Sequence, residues 1–427
     1  MDLDSEKAGT RKVAHAEEGG ADAICLARQP ILDCQGRVFA YELLYRARVD
    51  ATNCTEEGDV ASARVLANAV TALGLDVIAG GRPVFVNFTR DLLLNGCGTL
   101  LPPTSIVIEV REDVPIEGGV IESCRRLSEQ GYALALDDFV GGSEAEVLMP
   151  YVTYVKVDVL ETSSADRRAI AARLLPLGIR LVAEKVETAA IVAEATAAGY
   201  RLFQGHYFCR PTIVTASRIP ENQITYLRLL GALSRPGLTI AELDDLVKHD
   251  VALSYRVLRS INSAAYGVRR RVSSIRQALV LLGLDHVRRW ASVWVLAGLN
   301  ASGTEEVLSL ALLRARTCEL LGDASGITAD GSDLFLLGLC SVIDAIMGRP
   351  MVLVLEELPV SRSIKDALLG ETNNVRPILD TVIAYEQGNW NEAGKAAARA
   401  GLSAHALPSA YADALRWAHE LERDSAT

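Results

Sequence analysis

Short apolar runs recur through the first half of the chain, with helical periodicity between them. Ile24–Arg28 and Val38–Tyr45 read as two strands separated by a Gln35-Gly36 turn. Further runs fall at Val84–Phe88, Ile106–Val110, Ala133–Leu136, Tyr154–Val159, Arg180–Ala183 and Leu202–Phe203. Helical spacing fills Val60–Leu75, Gly119–Gln130, Ser164–Leu175 and Ala189–Gly199. Alternating strands and helices argue for parallel β/α units. A count near eight strands fits a closed, TIM-like α/β barrel better than an open sheet.

Beyond Ile224 this rhythm ends. Amphipathic helices are expected at Ile224–Leu233, Ile240–His249, Ala252–Ser263, Ile275–Leu282, Leu284–Leu299, Glu305–Leu321, Asp333–Met347 and Val375–Gln387. The pattern therefore predicts a flexible leader over 1–20, a barrel domain over 21–215 and a linker over 216–223. An all-α domain follows over 224–405, with a closing helix or tail over 406–427.

The polar residues inside the strand pattern are unusual. Glu42 interrupts an apolar run, and burying an unpaired acid is expensive. Asn87, Glu109, Asp137-Asp138, Lys156, Glu184 and Gln204 each lie near the end of a candidate strand. A barrel gathers those ends into one mouth, where ligands bind. The adjacent pair Asp137-Asp138 reads either as a divalent-metal site or as two solvated loop carboxylates.

Composition narrows the picture. The 427-residue length calls for two or three domains, and half the residues are hydrophobic. A net charge of −11 gives no support to a nucleic-acid surface over the whole chain. Met1–Gly20 carries no signal-peptide core, and no apolar run reaches membrane-spanning length. Eight cysteines without a C-x-x-C pair read as reduced core thiols of a cytoplasmic protein. Arg269-Arg270-Arg271, Arg276, Arg288 and Arg289 form a local basic region, readable as a solvated face, as a docking surface for an acidic partner or, less readily, as a nucleic-acid contact. Trp290 and Trp294 nearby read as core.

Taken in order, the motifs carry a resemblance. "RQPILDCQGRVFAYELLYR", "FVNF", "IEVRE", "ALDDF", "VKVD", "VAEKVET" and "FQGHYFCRP" span Cys25–Pro211 and resemble the EAL family, the cyclic-di-GMP phosphodiesterase fold. "LSYRVLRSINSAAYGVRRRVSSIRQALVLLGLDHVRRW" and "LFLLGLCSVIDAIMGRPM" resemble the HDOD family, a helical relative of HD-type phosphohydrolases. The order of the two resembles YuxH-type EAL–HDOD signalling proteins.

The resemblance implies roles for particular residues. Glu42, Asn87, Glu109 and Asp137 would hold one Mg²⁺ or Mn²⁺, and Asp137, Asp138 and Glu184 would hold or approach a second. Lys156 would orient or deprotonate the attacking water, with Glu184 beside it. Arg46 and Gln204 would bind substrate, and Glu112 and Glu187 would support the loops. The product would be linear pGpG. In the helical domain Ser341-Val342 stands where catalytic HD relatives carry His-Asp, so no hydrolysis is expected there.

Three positions depart from the EAL pattern. The naming motif reads Glu42-Leu43-Leu44, the loop after the carboxylate pair reads "DDFVGGSEAEVLM", and Lys185 stands where relatives have glycine. Three readings follow. The barrel binds cyclic-di-GMP while the HDOD-like domain engages a protein partner, or the barrel is an active phosphodiesterase, or the chain is a ligand-free scaffold. Relatives often dimerise, so a homodimer remains an open expectation.

Overall fold

The computed structural model describes residues 25–46, 73–95, 101–141, 144–205, 221–233, 235, 237–248, 305–325, 331–403 and 405–426, with isolated positions from 277 to 299. The leader, most of the 216–223 linker, the helices expected between 252 and 299, the Arg269–Arg289 basic region, Trp290 and Trp294 lie outside the described residues. So does nearly all of the helix expected at Val60–Leu75.

Eight strands close into a barrel in sequence order. They are β1 (Cys25–Asp33), β2 (Val38–Arg46), β3 (Val84–Phe88), β4 (Ile106–Val110), β5 (Ala133–Leu136), β6 (Tyr154–Asp158), β7 (Arg180–Glu184) and β8 (Leu202–Phe203). From β2 to β8 every neighbour is parallel. β1 corrects the expectation of uniformly parallel units, because it runs antiparallel to both β2 and β8. The cause is local. Only four residues separate β1 from β2, too few for a crossover. The carboxylate of Asp33 accepts from the backbone N–H groups of Gln35 and Arg37, and Gly36 turns with φ 76°.

Among the described residues, α1 (Leu75–Ala79), α2 (Arg90–Leu94), α3 (Gly118–Glu129), α4 (Ser164–Leu174) and α5 (Ala189–Ala198) follow strands or precede them. Ser163 caps α4 in a full capping box, and Thr188 caps α5. Their inner faces pack on the outward side chains of the strands, such as Val86, Ile108 and Leu181.

The helical part contains α6 (Glu221–Leu233), α7 (Ile240–Lys248), α8 (Glu305–Ser325), α9 (Gly331–Cys340), α10 (Ile343–Met347), α11 (Met351–Glu357), α12 (Arg362–Leu368), α13 (Arg376–Glu386), α14 (Trp390–Arg399) and α15 (Ala406–Ala426). The single helix expected at Asp333–Met347 is two, broken at Ser341-Val342, where the Ser341 hydroxyl donates back to the Gly338 carbonyl. α11, α12 and α14 are short and escaped the periodicity reading. Ser361 and Asn389 are the N-cap residues of α12 and α14. No described helix is long and apolar enough to cross a membrane.

The two halves share a core. Cys25 and Ala27 of β1 lie in the same apolar cluster as Leu313, Val382, Tyr385 and Tyr411. The Tyr385 hydroxyl accepts from the buried Leu26 N–H at 3.0 Å. α8 and α9 pack closely because Gly338 has no side chain. A Cβ there would sit 2.4 Å from the Arg314 carbonyl oxygen. Gly338→Ala should therefore lower stability by about 1–3 kcal/mol through overpacking. Gly394→Ala, where nothing lies within 4 Å of the added carbon, should raise it by about 0.5–1 kcal/mol. Denaturant midpoints of the two variants check this, and equal effects would contradict the packing assignment.

Candidate functional site

Side chains alternate between the two faces of a strand, and this period of two builds the site. A lower inner layer is apolar: Ile31, Ala40, Phe85, Val107, Ala135, Tyr154, Val182 and Leu202. Two residues further along each parallel strand comes a polar group. Ala40 is followed by Glu42, Phe85 by Asn87, Val107 by Glu109 and Ala135 by Asp137. Tyr154 leads to Lys156, Val182 to Glu184 and Leu202 to Gln204. β1 runs the other way, so its contribution is two residues before Ile31, at Gln29. The alternation thus floors the polar ring with a dry layer.

Lys156 stands at the centre and is 1% exposed. Its Nζ lies 3.0 Å from Glu42 Oε2, 2.8 Å from Glu109 Oε1, 3.1 Å from Asp137 Oδ1 and 2.7 Å from Glu184 Oε1. An ammonium has three N–H donors, so it cannot serve four carboxylates fully. The remaining contacts are amides. Asn87 Nδ2 donates to Glu42 Oε1 at 2.9 Å, and Gln204 Nε2 donates to Glu42 Oε2 at 2.8 Å and to Gln29 Oε1 at 3.1 Å.

Electrostatics sort the four acids. Burial pushes Glu42 up, but Lys156 and the two amides outweigh it and hold its carboxyl below the usual range. Burial, with repulsion from Glu42, raises Glu109 well above its ordinary value. Burial likewise pushes Glu184 up to about 8, with Lys156 opposing and Asp137 and Glu42 adding to it. Asp137 is raised for the same reasons. Burial alone would lower Lys156, yet its four carboxylates raise it well above its ordinary value.

Asp138 does not join this cluster. It faces Lys185, whose Nζ lies 3.6 Å from Asp138 Oδ1 and donates to the Asp158 carboxylate. The hydrogen bond to Asp158 and the charge of Asp138 raise the Lys185 ammonium above its usual range. Burial raises Asp138, with Lys185 opposing and Glu112 and Asp158 repelling. Asp138 and Lys185 have φ of 44° and 54°, a left-handed conformation that glycine adopts freely. The adjacent carboxylates of the sequence therefore separate into two clusters, each around its own lysine.

The other expected residues fall as follows. Glu187 is exposed at the rim of the cavity, and Glu112 is exposed and acts on Asp138 through its charge. Arg46 ends β2, and its side chain lies outside the described residues. Two residues were missed. Asp158, two positions after Lys156, continues the inward face of β6 and is 2% exposed. Gln29 sits within the apolar β1 pattern, and its signal was the amide itself.

The donor set suits a hard divalent cation, being carboxylates and amide oxygens. Oε2 of Glu109, Oε2 of Glu184, Oδ1 of Asn87 and Oε1 of Gln204 are buried with no hydrogen-bond partner, while Oε1 of Glu109 is met only by Lys156. Such acceptors are costly to bury unless a cation or a donor meets them. Among the described residues no three acids, histidines or cysteines form a ready cage. The reason is geometric: the space between the acids is held by Nζ.

Comparison with known proteins follows the same division. The EAL domain pattern matches residues 75–211 and the HDOD domain pattern residues 219–348. YuxH of Bacillus subtilis, an uncharacterized protein, is 32% identical over 406 residues, covering 93% of this chain and 98% of YuxH. The cyclic di-GMP phosphodiesterase CdgJ of Vibrio cholerae is 29% identical over 401 residues, covering 93% of each. Among solved structures, BlrP1 of Klebsiella pneumoniae with calcium and cyclic-di-GMP is 25% identical, covering 44% of this chain and 56% of that one, with a TM-score of 0.37. The MucR phosphodiesterase complex with cyclic-di-GMP is 20% identical, covering 43% and 95%, with a TM-score of 0.38. With both domains in order and nearly the whole of YuxH covered, the chain belongs to the family of EAL–HDOD proteins that YuxH and CdgJ represent.

Proposed function

We propose that the barrel binds cyclic-di-GMP with little turnover and that the helical domain passes its state to a protein partner. The observation that carries this is Lys185. Its ammonium pairs with Asp138 and Asp158 at the side of the mouth where a second cation would be held. The set Glu42, Asn87, Glu109 and Asp137 keeps its oxygens and would hold one Mg²⁺ or Mn²⁺ once Lys156 Nζ withdraws from the space between them. Asp138 and Glu184 would hold a second only by displacing Lys185 from its partners.

A divalent cation, when bound, supplies Lewis-acid stabilisation of phosphate charge. The protein's own groups do the rest. Glu42 is fixed by Asn87 and Gln204, so its carboxylate has one orientation. Lys156 offsets the surplus negative charge that would repel a phosphodiester. Gln204 can orient a water or a substrate oxygen from the opposite wall. The apolar layer beneath keeps solvent out.

The helical domain carries no catalytic role in this reading. Where an HD enzyme has His-Asp, Ser341 accepts from Arg314 Nη1 at 3.2 Å and donates to the Gly338 carbonyl, so its hydroxyl is used to hold helices together. A protein-interaction role suits that arrangement.

The second reading, an active phosphodiesterase releasing pGpG, is favoured by the complete first set of oxygen ligands around Lys156. Calorimetry with cyclic-di-GMP in Ca²⁺ should give binding, and turnover in Mg²⁺ or Mn²⁺ should be slow. Lys185→Gly, which also relieves the positive φ, should raise turnover at least tenfold. Wild-type turnover already as fast as that of Lys185→Gly would favour the enzyme, and absence of binding in any metal would sink both readings.

Lys156 gives an independent stability test. Removing one partner of a buried ionic cluster costs about 3–5 kcal/mol. Lys156→Met should therefore melt well below wild type in chelator and recover part of the loss in Mn²⁺. A variant as stable as wild type in chelator would show that the ammonium is not what holds the acids together.

A further inference from the structure

The cavity above the carboxylates is not made by the barrel alone. It encloses about 520 Å³, a size typical of small-ligand sites. One side carries Glu42, Asp137, Lys156 and Glu184. The facing side is built by the helical domain, from Leu310, Leu313 and Arg314 of α8, Glu386 and Gln387 at the end of α13, and Tyr411 of α15.

This second wall is tied to the first by hydrogen bonds. Gln204 Nε2 donates both to Glu42 and to Gln29 Oε1, and Gln29 Nε2 donates to the Glu386 carbonyl at 3.4 Å. The chain of contacts runs from the ring of acids to the last residue of α13. Glu386 in turn accepts from Arg314 Nε at 2.7 Å. At the cavity's edge Arg28 Nη2 donates to the Ser309 hydroxyl at 3.1 Å, and the Tyr41 hydroxyl donates to Glu306 at 2.7 Å.

The two walls differ in chemistry. The barrel side is dense in carboxylates and suits a cation-bound phosphate. The α8 side has its own acids, Glu306 and Glu386, but adds leucine methyl groups and the planar guanidinium of Arg314, whose edge is paired with Glu386. Methyl groups and a guanidinium face suit the flat face of a purine. We infer that the cavity is a two-domain ligand site, in which a cyclic dinucleotide held at its phosphate by the barrel lays a base against Leu310, Leu313 and Arg314 of α8. The helical domain is then in direct contact with the ligand and registers its presence without a relay. This rests on the cyclic-di-GMP reading above.

Hydrogen exchange on the full chain in Ca²⁺, with and without cyclic-di-GMP, tests it. Ligand should slow exchange over 305–316 and 384–389 as well as in the barrel strands. In parallel, Leu310→Glu should weaken calorimetric affinity at least tenfold. Its ligand-free melting temperature shows whether that loss comes from the wall or from unfolding. Protection confined to the barrel overturns the two-domain site, whatever the variant does, and leaves barrel-only binding standing. Unchanged affinity in a folded Leu310→Glu overturns it too. A wild-type chain that binds no cyclic-di-GMP overturns both this inference and the reading beneath it.

Discussion

One ammonium group holds the barrel's mouth together. Nζ of Lys156 lies within 3.1 Å of four carboxylates brought in on four different strands. Without it these acids would repel one another in a region that water does not screen. With it they still exceed the available donors, so several buried oxygens lack partners, and burial together with the neighbouring acids holds Glu109 and Glu184 above the usual carboxylate range. The ring is therefore left with carboxylate and amide oxygens that no donor meets, a surplus of negative charge around a single ammonium. The dry layer from Ile31 to Leu202 beneath it fixes the depth at which the ring sits.

The reversed first strand has two consequences from one cause. A four-residue connection forces β1 antiparallel to β2. Reversal turns Gln29 upward into the ring, where it meets Gln204. The outer face of β1 is covered by α13 and α15 of the helical domain, with Cys25 and Ala27 buried among their side chains. The strand that closes the barrel is also the one that docks the second domain. Its inward amide and its outward apolar face connect the ring to α13 within a single residue pair, Gln29 and Glu386.

What could be read from the sequence follows from these distances. The ring was legible because each member lies near the end of a strand-like run, a local and periodic signal. Gln29 was not, although it directly follows the expected run Ile24–Arg28: the strand continues to Asp33, and only its reversed direction places Gln29 level with the ring. Asp158 was overlooked although it shares the inward parity of Lys156, since nothing local marks its partner, Lys185, 27 residues on. The contribution of α8 and α13 was invisible for a stronger reason. It is a contact between residues hundreds of positions apart, such as Gln29 and Glu386, and no period in the chain encodes it. The short helices α11 and α12 carry too few turns for an apolar stripe to stand out, and the buried face of α14 is built of alanines, Ala393, Ala396 and Ala397, which mark a core face weakly.

Lys185 shows how a departure from pattern acquires physical meaning. A non-glycine residue in the left-handed region costs roughly 1–2 kcal/mol, less for Asp and Asn, so of Asp138 and Lys185 the lysine bears the larger strain. Glycine would remove the strain at 185 but would leave Asp158 buried, with only the local loop N–H groups of Leu160 and Glu161 donating to it. The lysine offsets its own backbone cost by bringing an ammonium to that carboxylate and to Asp138. The mouth thus carries two sets of acids, each with its own lysine: Lys156 for the ring, Lys185 for the pair at its side. The first lysine leaves oxygens of Glu109, Glu184, Asn87 and Gln204 without a donor. The second is shared between Asp158 and Asp138, so a cation there would compete with a covalently tethered charge at high local concentration. That asymmetry, more than any missing ligand, separates the two halves of the site.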